Sequence, residues 1–248
     1  MSGFPILATR GLVKRFGGVA AVDGVDLVVD VGEIRCLIGP NGAGKSTLFK
    51  CLTHQHQPTS GHVLFEGRDL QGLPTHRIAR RGIAIKNQIP SIYANLDVRE
   101  NIRLAALRRN LTKRELDSVV DLVLAEIGFD NLQAKRPAAT LSHAHRQWCE
   151  LGMLLASNPR LALLDEPTAG MTRDEMLKTV DIIKRLNARA TVIVVEHDLE
   201  FIARLAQKVT VLHRGKVLVE DSMERIEANE TVRDIYLGRK KDTAHAEG

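Results

Sequence analysis

Long apolar runs are missing from this 248-residue sequence. None approaches the roughly 20 residues that a membrane-crossing helix needs. The first residues show no signal-peptide pattern, so a cytoplasmic protein is expected, held at a membrane only through another subunit. Cysteine is scarce: Cys36, Cys51 and Cys149 are the full set. An odd number at these spacings fits neither a disulfide framework nor a metal site, and buried free thiols in a reducing compartment are expected. Aromatic residues make up 4% of the chain. Strong charge of either sign is also absent. The formal net charge is +5 and the pI about 9.2, with basic residues spread along the chain. So mild and so spread an excess is typical of a soluble protein and is weak evidence both for a nucleic-acid partner and for work beside an anionic membrane face. No internal repeat is present.

What the chain does have is 44% apolar residues, enough for one large domain or a domain with a lobe. Residues 6–13 and 25–29 alternate as strands, with Asp23-Gly24 read as the turn between apolar stretches. Glu33 to Ile38 is a short strand that runs into a glycine-rich loop, and Ser46 to Leu52 follows as a helix. Residues 62–66 give another strand. From about 97 to 157 the pattern turns helical. Asp97 with Glu100 and Thr112 with Glu115 are placed as helix caps, and Leu116, Val119, Val120, Val123 and Ile127 follow helical spacing. Leu161 to Leu164 is an apolar strand closing on Asp165-Glu166. Thr172 and Glu175 cap a helix, Thr191 to Val195 is a strand buried on both faces, and 209–219 is a hairpin about Arg214-Gly215. The expected architecture is α/β, a mostly parallel sheet with an antiparallel opening and an inserted all-helical lobe.

The chemistry starts at Gly39-Pro40-Asn41-Gly42-Ala43-Gly44-Lys45-Ser46. Glycines there let successive N–H groups form an anion nest, and the following helix points its positive end at the same place. Lys45 supplies charge for β- and γ-phosphates and Ser46 a hydroxyl for Mg²⁺, so the loop implies ATP with magnesium. Asp165 at the end of its apolar strand suits the magnesium shell, and Glu166 beside it suits polarisation of an attacking water. His197 follows the strand at 191–195 and is placed to orient that water at the γ-phosphate. Gln88, at the entrance to the helical lobe, offers an amide to Mg²⁺ or the water. Leu141 to Gln147 opens a helix capped by Ser142, a second anion site. Phe16, upstream of the loop, suits stacking on adenine. Apart from the eight-residue loop, each of these read alone would be an ordinary cap, surface polar group or core residue.

Taken together and in this order, the residues resemble the nucleotide-binding subunit of an ABC transporter over nearly the whole chain. The resemblance implies Walker A at 39–46 with Thr47 beside it, a Q-loop at Gln88, a signature at 141–147, Walker B at 161–165, catalytic Glu166, a D-loop at Ala169 to Thr172 and a switch at His197. It implies a phosphate-loop NTPase core (1–88 and 160–225) with an N-terminal antiparallel β-subdomain, an inserted helical subdomain (89–159) and a C-terminal extension (226–248). It also implies a dimer of such domains, each ATP held by Walker A of one subunit and the signature of the other. Further implied partners are a second ATP-binding subunit, related or identical, two transmembrane permease subunits that dock near Ile89 to Glu100, and, indirectly, a periplasmic or surface substrate-binding protein. The place of work is then the cytoplasmic face of the cell membrane, with no nucleic acid involved. Residues 33–45, Ala169-Gly170-Met171, Trp148 and the tail from Ile226 to Arg239 are similar to importers of branched-chain amino acids and, more closely, urea.

Two departures from the family pattern stand out. The signature keeps Ser142 but has His143 and Ala144 for two glycines and His145 for glutamine. A methyl group at Ala144 is expected to push a phosphate away and weaken ATP-driven closure, and His145 to make a new polar contact with the phosphate or the facing subunit. Asn87 replaces the usual aromatic before Gln88. The competing reading is a soluble ABC-type ATPase acting on nucleic acid or ribosomes. Such proteins carry two nucleotide domains, coiled coils or zinc insertions, and this sequence shows none of the three.

Overall fold

The computed structural model of the chain describes residues 5–237. Gly238, Arg239 and the polar residues from Lys240 onward lie outside the described residues. The described residues divide into two compact units, 5–75 with 195–237, and 76–194.

The first unit opens with β1 (Leu7–Phe16), β2 (Val19–Val29), β3 (Ile34–Ile38), α1 (Lys45–Leu52), β4 (Ser60–Phe65) and β5 (Arg68–Asp69). The second holds α2 (Thr75–Arg80), β6 (Ile83–Lys86), α3 (Val98–Ala106), α4 (Lys113–Ile127), α5 (Asn131–Ala134), α6 (His143–Ser157), β7 (Leu161–Asp165), α7 (Arg173–Asn187) and β8 (Thr191–Val195). The chain returns to the first unit with α8 (Leu199–Leu205), β9 (Lys208–His213), β10 (Lys216–Asp221), α9 (Met223–Ala228) and α10 (Glu230–Val232).

In the first unit β1, β2, β4 and β5 form an antiparallel sheet in the order β2-β1-β4-β5. Asp23-Gly24 is not a turn. It lies inside β2, where Leu12 pairs with Val25 and Val13 with Asp23, leaving Gly24 as an extra residue at φ 71°. An unpaired residue of this kind is a bulge, which bends the strand without ending it. The reversal comes earlier, at Gly17-Gly18. The same unit pairs β3 with β9 in parallel and β9 with β10 antiparallel. The predicted hairpin at 209–219 is present, with Arg214 and Gly215 both at positive φ, as a two-residue turn between twisted strands demands.

A charged group lies in the core here. Arg35 in β3 is wholly buried, yet its guanidinium reaches Glu33, Glu220, Thr210 and the Val28 carbonyl. A buried charge is tolerable only with such a set of partners.

In the second unit β6 pairs with β7 in parallel, and β8 lies next to β7. Thr191 to Val195 is buried at every position, as a strand covered on both faces must be. Asp97, Thr112 and Thr172 all form reciprocal capping boxes with their predicted partners, Glu100, Glu115 and Glu175. Helices α3, α4 and α6 close around Gly152. A methyl group there would come within 3.0 Å of Ile127 and 3.3 Å of Val123. The fold is thus α/β, of the phosphate-loop NTPase type, with parallel strand pairs, an antiparallel β-part and a helical segment.

All three cysteines are buried. Burial pushes the thiol of Cys51 up to about 11 and that of Cys149 to about 12.

Candidate functional site

In the first unit the loop 39–44 links β3 to α1. Gly39 and Gly44 have φ of 152° and 101°, and a methyl group on either would lie 2.3 or 2.2 Å from the carbonyl of Leu212 or Ala21. Glycine is obligatory at both because the loop nests on the backbone of β9 and β2. Gly215 N–H donates to the Ala43 carbonyl at 2.9 Å, tying the loop to the β9–β10 turn. The Lys45 ammonium folds back over the loop, donating to the carbonyls of Gly39 at 2.6 Å and Pro40 at 3.2 Å. A cation held in the mouth of a backbone nest is the complement of a polyphosphate. Asn41, Gly42 and Ser46 are not buried and Pro40 and Thr47 lie at the same rim, while Ala43 is buried.

Phe16 ends β1 about half exposed to solvent. His56 meets its edge at 5.4 Å and Lys14 Nζ lies 5.1 Å from its centre. His197 follows β8 and is exposed, while its neighbour Glu196 is buried. One Glu196 oxygen accepts the His197 N–H at 2.9 Å and lies 3.3 Å from His197 Nδ1. That carboxylate braces the histidine from its Nδ1 side. Sequence reasoning passed over Glu196 and His56.

In the second unit Asp165 ends β7 half-buried, after four fully buried residues. Glu166 follows at φ 42°, an uncommon conformation for a glutamate. Its Oε2 accepts from Gln88 Nε2 at 2.7 Å. The structure therefore joins these two residues directly. The loop carrying Gln88 is tied to α6 as well. Gln147 donates to the Gln88 carbonyl at 3.3 Å, and Glu150 accepts the Ser91 N–H at 3.0 Å. Lys86, fully buried, lies 3.8 Å from Glu150. Burial pushes the Glu150 carboxyl up to about 6, against the pull of Lys86. Neither Lys86 nor Glu150 stood out in the sequence, because β6 is short and its lysine reads as a solvent-facing residue.

Ser142 caps α6 and accepts the His145 N–H at 3.3 Å. His143 is exposed and donates from Nε2 to the Ala169 carbonyl at 3.0 Å, bringing the start of α6 to the loop after β7. Ala144 is 3% exposed. Its methyl group lies inside the unit, so the obstruction expected there has no surface atom to make it. His145 also turns inward, onto Ser142, Phe129 and Trp148. Beside this turn a cavity of about 710 Å³ is lined by Gln88, Ile89, Pro90, His143, Arg146 and Gly170.

A magnesium ion suits these donors. Among the described residues no three His, Cys, Asp or Glu side chains gather to cage a metal. A hard ion held mainly by phosphate oxygens and water needs only one or two protein oxygens, and a hydroxyl such as that of Ser46 or a carboxylate such as that of Asp165 is a donor of that kind.

The sequence pattern of the ABC transporter family matches residues 22–169. The chain belongs to the ABC transporter family. It is 34% identical to the high-affinity branched-chain amino acid transport ATP-binding protein BraF of Pseudomonas aeruginosa, over 94% of this chain and 98% of BraF. It is 32% identical to LivG of Escherichia coli, a protein of the same description, over 94% of this chain and 98% of LivG. Among solved structures, the ABC transporter cassette MJ1267 superposes with a TM-score of 0.84 at 25% identity, covering 94% of this chain and 99% of that one. No helix among the described residues is long and apolar enough to cross a membrane.

Proposed function

We propose that this chain is the ATP-hydrolysing subunit of an ABC-type importer. The observation that carries the reading is the glycine nest at 39–44 with the Lys45 ammonium folded into it, ahead of α1. In this reading the nest and Lys45 hold the β- and γ-phosphates, with Thr47 beside them and Phe16 against adenine. Ser46, Asp165 and Gln88 offer oxygens to magnesium, which when bound offsets phosphate charge. Glu166 takes a proton from the attacking water, and His197, braced by Glu196, orients it. Ser142 and the backbone of residues 143–145, at the positive end of α6, face the nucleotide of a second ATP-binding subunit.

ATP then supplies binding energy that favours the closed dimer, and hydrolysis releases it. Residues 89–159 form the responding helical subdomain. The cavity beside Gln88 accepts a segment of a permease subunit, so docking and the Gln88–Glu166 contact are neighbours. The chain works as a peripheral subunit on the cytoplasmic face of the membrane. Its cargo is a branched-chain amino acid, the substrate class named for BraF and LivG, or a urea-type amide, and other subunits select it.

The test is purification of the tagged chain from its host under mild detergent. Co-purification with two membrane proteins, and magnesium-dependent ATP hydrolysis lost on Lys45→Ala, are the expected results. Hydrolysis stimulated by RNA, with no membrane protein bound, would overturn the reading in favour of a soluble ABC-type ATPase.

A further inference from the structure

His145 stands one helical turn past Ser142. Its ring is gripped edge-on by Phe129, with ring centres 5.3 Å apart, and by Trp148 at 4.9 Å. Lys178 of α7 lies 3.8 Å from the centre of the same Trp148 ring. Trp148 is fixed in turn by its Nε1–H, which donates to Thr179 at 2.9 Å. Held this way, the imidazole presents Nδ1 to Ser142 Oγ at 2.7 Å.

A serine hydroxyl has one proton and two lone pairs. One lone pair of Ser142 accepts the His145 backbone N–H. When Nδ1 is bare, the serine proton is spent on it. When Nδ1 carries a proton, the ring donates to the second lone pair, and the serine proton must point elsewhere. Ser142 is exposed at the N-terminus of a 15-residue helix. An anion placed there is the natural acceptor for the released proton.

We propose that His145 is a positioning residue that decides whether the Ser142 hydroxyl donates to a nucleotide phosphate, so that nucleotide binding and charging of the imidazole favour each other. The proposal rests on the reading above that Ser142 faces nucleotide.

The groups around the ring set the direction. Burial is the largest influence and disfavours the imidazolium. Lys178 of α7 and Arg136, in the loop ahead of α6, act the same way, while Glu175 of α7 opposes them. The net effect holds the His145 pKa below its ordinary value, and the neutral ring that accepts from Ser142 carries its proton on Nε2, so that acid adds the proton at Nδ1. Acid then releases the Ser142 proton, and ATP affinity rises as pH falls.

The experiment is equilibrium ATP binding to the assembled transporter complex carrying Glu166→Gln, which prevents turnover, at about pH 7.5 and about pH 5.5. His145→Gln serves as the non-titrating partner. Titration of ATP itself is common to both and cancels in the comparison. With His145 present, affinity is expected to rise on acidification by at least about threefold more than in the His145→Gln complex, as a histidine whose protonation is linked to binding gains its proton over that interval. Equal pH ratios in the two complexes overturn the proposal. Ser142→Ala is expected to weaken ATP binding at both pH values and to abolish the extra acid effect. If Ser142→Ala leaves affinity unchanged, the reading that Ser142 faces nucleotide falls, and this proposal with it. If Ser142→Ala weakens binding but the pH effect survives, only this proposal falls. Should His145→Gln fail to assemble, histidine NMR titration of the full chain decides: Ser142→Ala must move the His145 midpoint, and an unmoved midpoint overturns the proposal.

Discussion

The Gln88 amide donates to Glu166 Oε2 at 2.7 Å, so the residue assigned to polarise water is already engaged by the loop ahead of the helical segment. The contact occupies one oxygen of the carboxylate, and under the proposed function hydrolysis is expected to depend on where the 88–91 loop lies. Glu166→Gln is expected to lower kcat by about a hundredfold or more while ATP binding is kept. Gln88→Ala is expected to lower kcat by roughly tenfold with little change in KM. Steady-state kinetics on the assembled complex checks both. A Gln88→Ala enzyme with raised KM and normal kcat would show that Gln88 acts in binding only.

Lys45 makes bonds to loop carbonyls and is partly exposed, so its loss costs the fold little. Lys45→Ala is expected to weaken ATP binding by roughly a hundredfold, the worth of one charge-assisted phosphate contact. Its thermal midpoint should stay near that of the parent. Calorimetric titration and thermal unfolding read the two effects separately.

Gly44 gives the opposite signature. A methyl group there meets the Ala21 carbonyl at 2.2 Å at a φ of 101°. Gly44→Ala is expected to cost about 3 kcal/mol or more, through backbone displacement and strain. Chemical denaturation measures it. An unchanged midpoint would mean that the loop does not nest on β2 as described.

Glu150 sets a pH dependence of stability. Its carboxyl is raised by burial from an ordinary 4.5 to about 6. The folded state thus binds this proton more tightly than the unfolded state. Its contribution favours folding below pH 4.5 and is lost as pH rises to about 6, remaining flat above. The lost amount is about 2 kcal/mol at most. Other carboxylates titrate in the same range, so the measurement is the difference between parent and Glu150→Gln. The parent's stability relative to the variant should fall between those two pH values. A rise would show that Lys86 outweighs burial.

Helix caps were legible in the sequence because each rests on two residues at fixed spacing. Asp97 with Glu100, Thr112 with Glu115 and Thr172 with Glu175 each appear as reciprocal boxes. Composition likewise found β8, where every residue from Thr191 to Val195 is β-branched. Asp23-Gly24 misled because a bulge and a turn ask for the same left-handed residue, and only the register of β1 against β2 separates them. Buried ionic residues were invisible for a different reason. Arg35 and Lys86 acquire partners far along the chain, Glu196 binds a neighbouring backbone, and nothing local marks any of them. The signature shows both limits. Ser142 as a cap was readable, while the burial of Ala144 and the packing of His145 on Phe129, which lies well upstream of α6, are not marked by any local spacing.

Burial of Cys36, Cys51 and Cys149 has a practical consequence. Thiolate, not thiol, reacts with maleimides and spin labels, and these three thiols are both covered and held protonated. The chain therefore comes chemically silent to such reagents without mutagenesis. Ile89, 82% exposed beside Gln88, is the natural place for a single introduced cysteine. A reporter attached there would be the sole fast-reacting position on the protein, and would follow the 88–91 loop through the nucleotide cycle in an otherwise unaltered sequence.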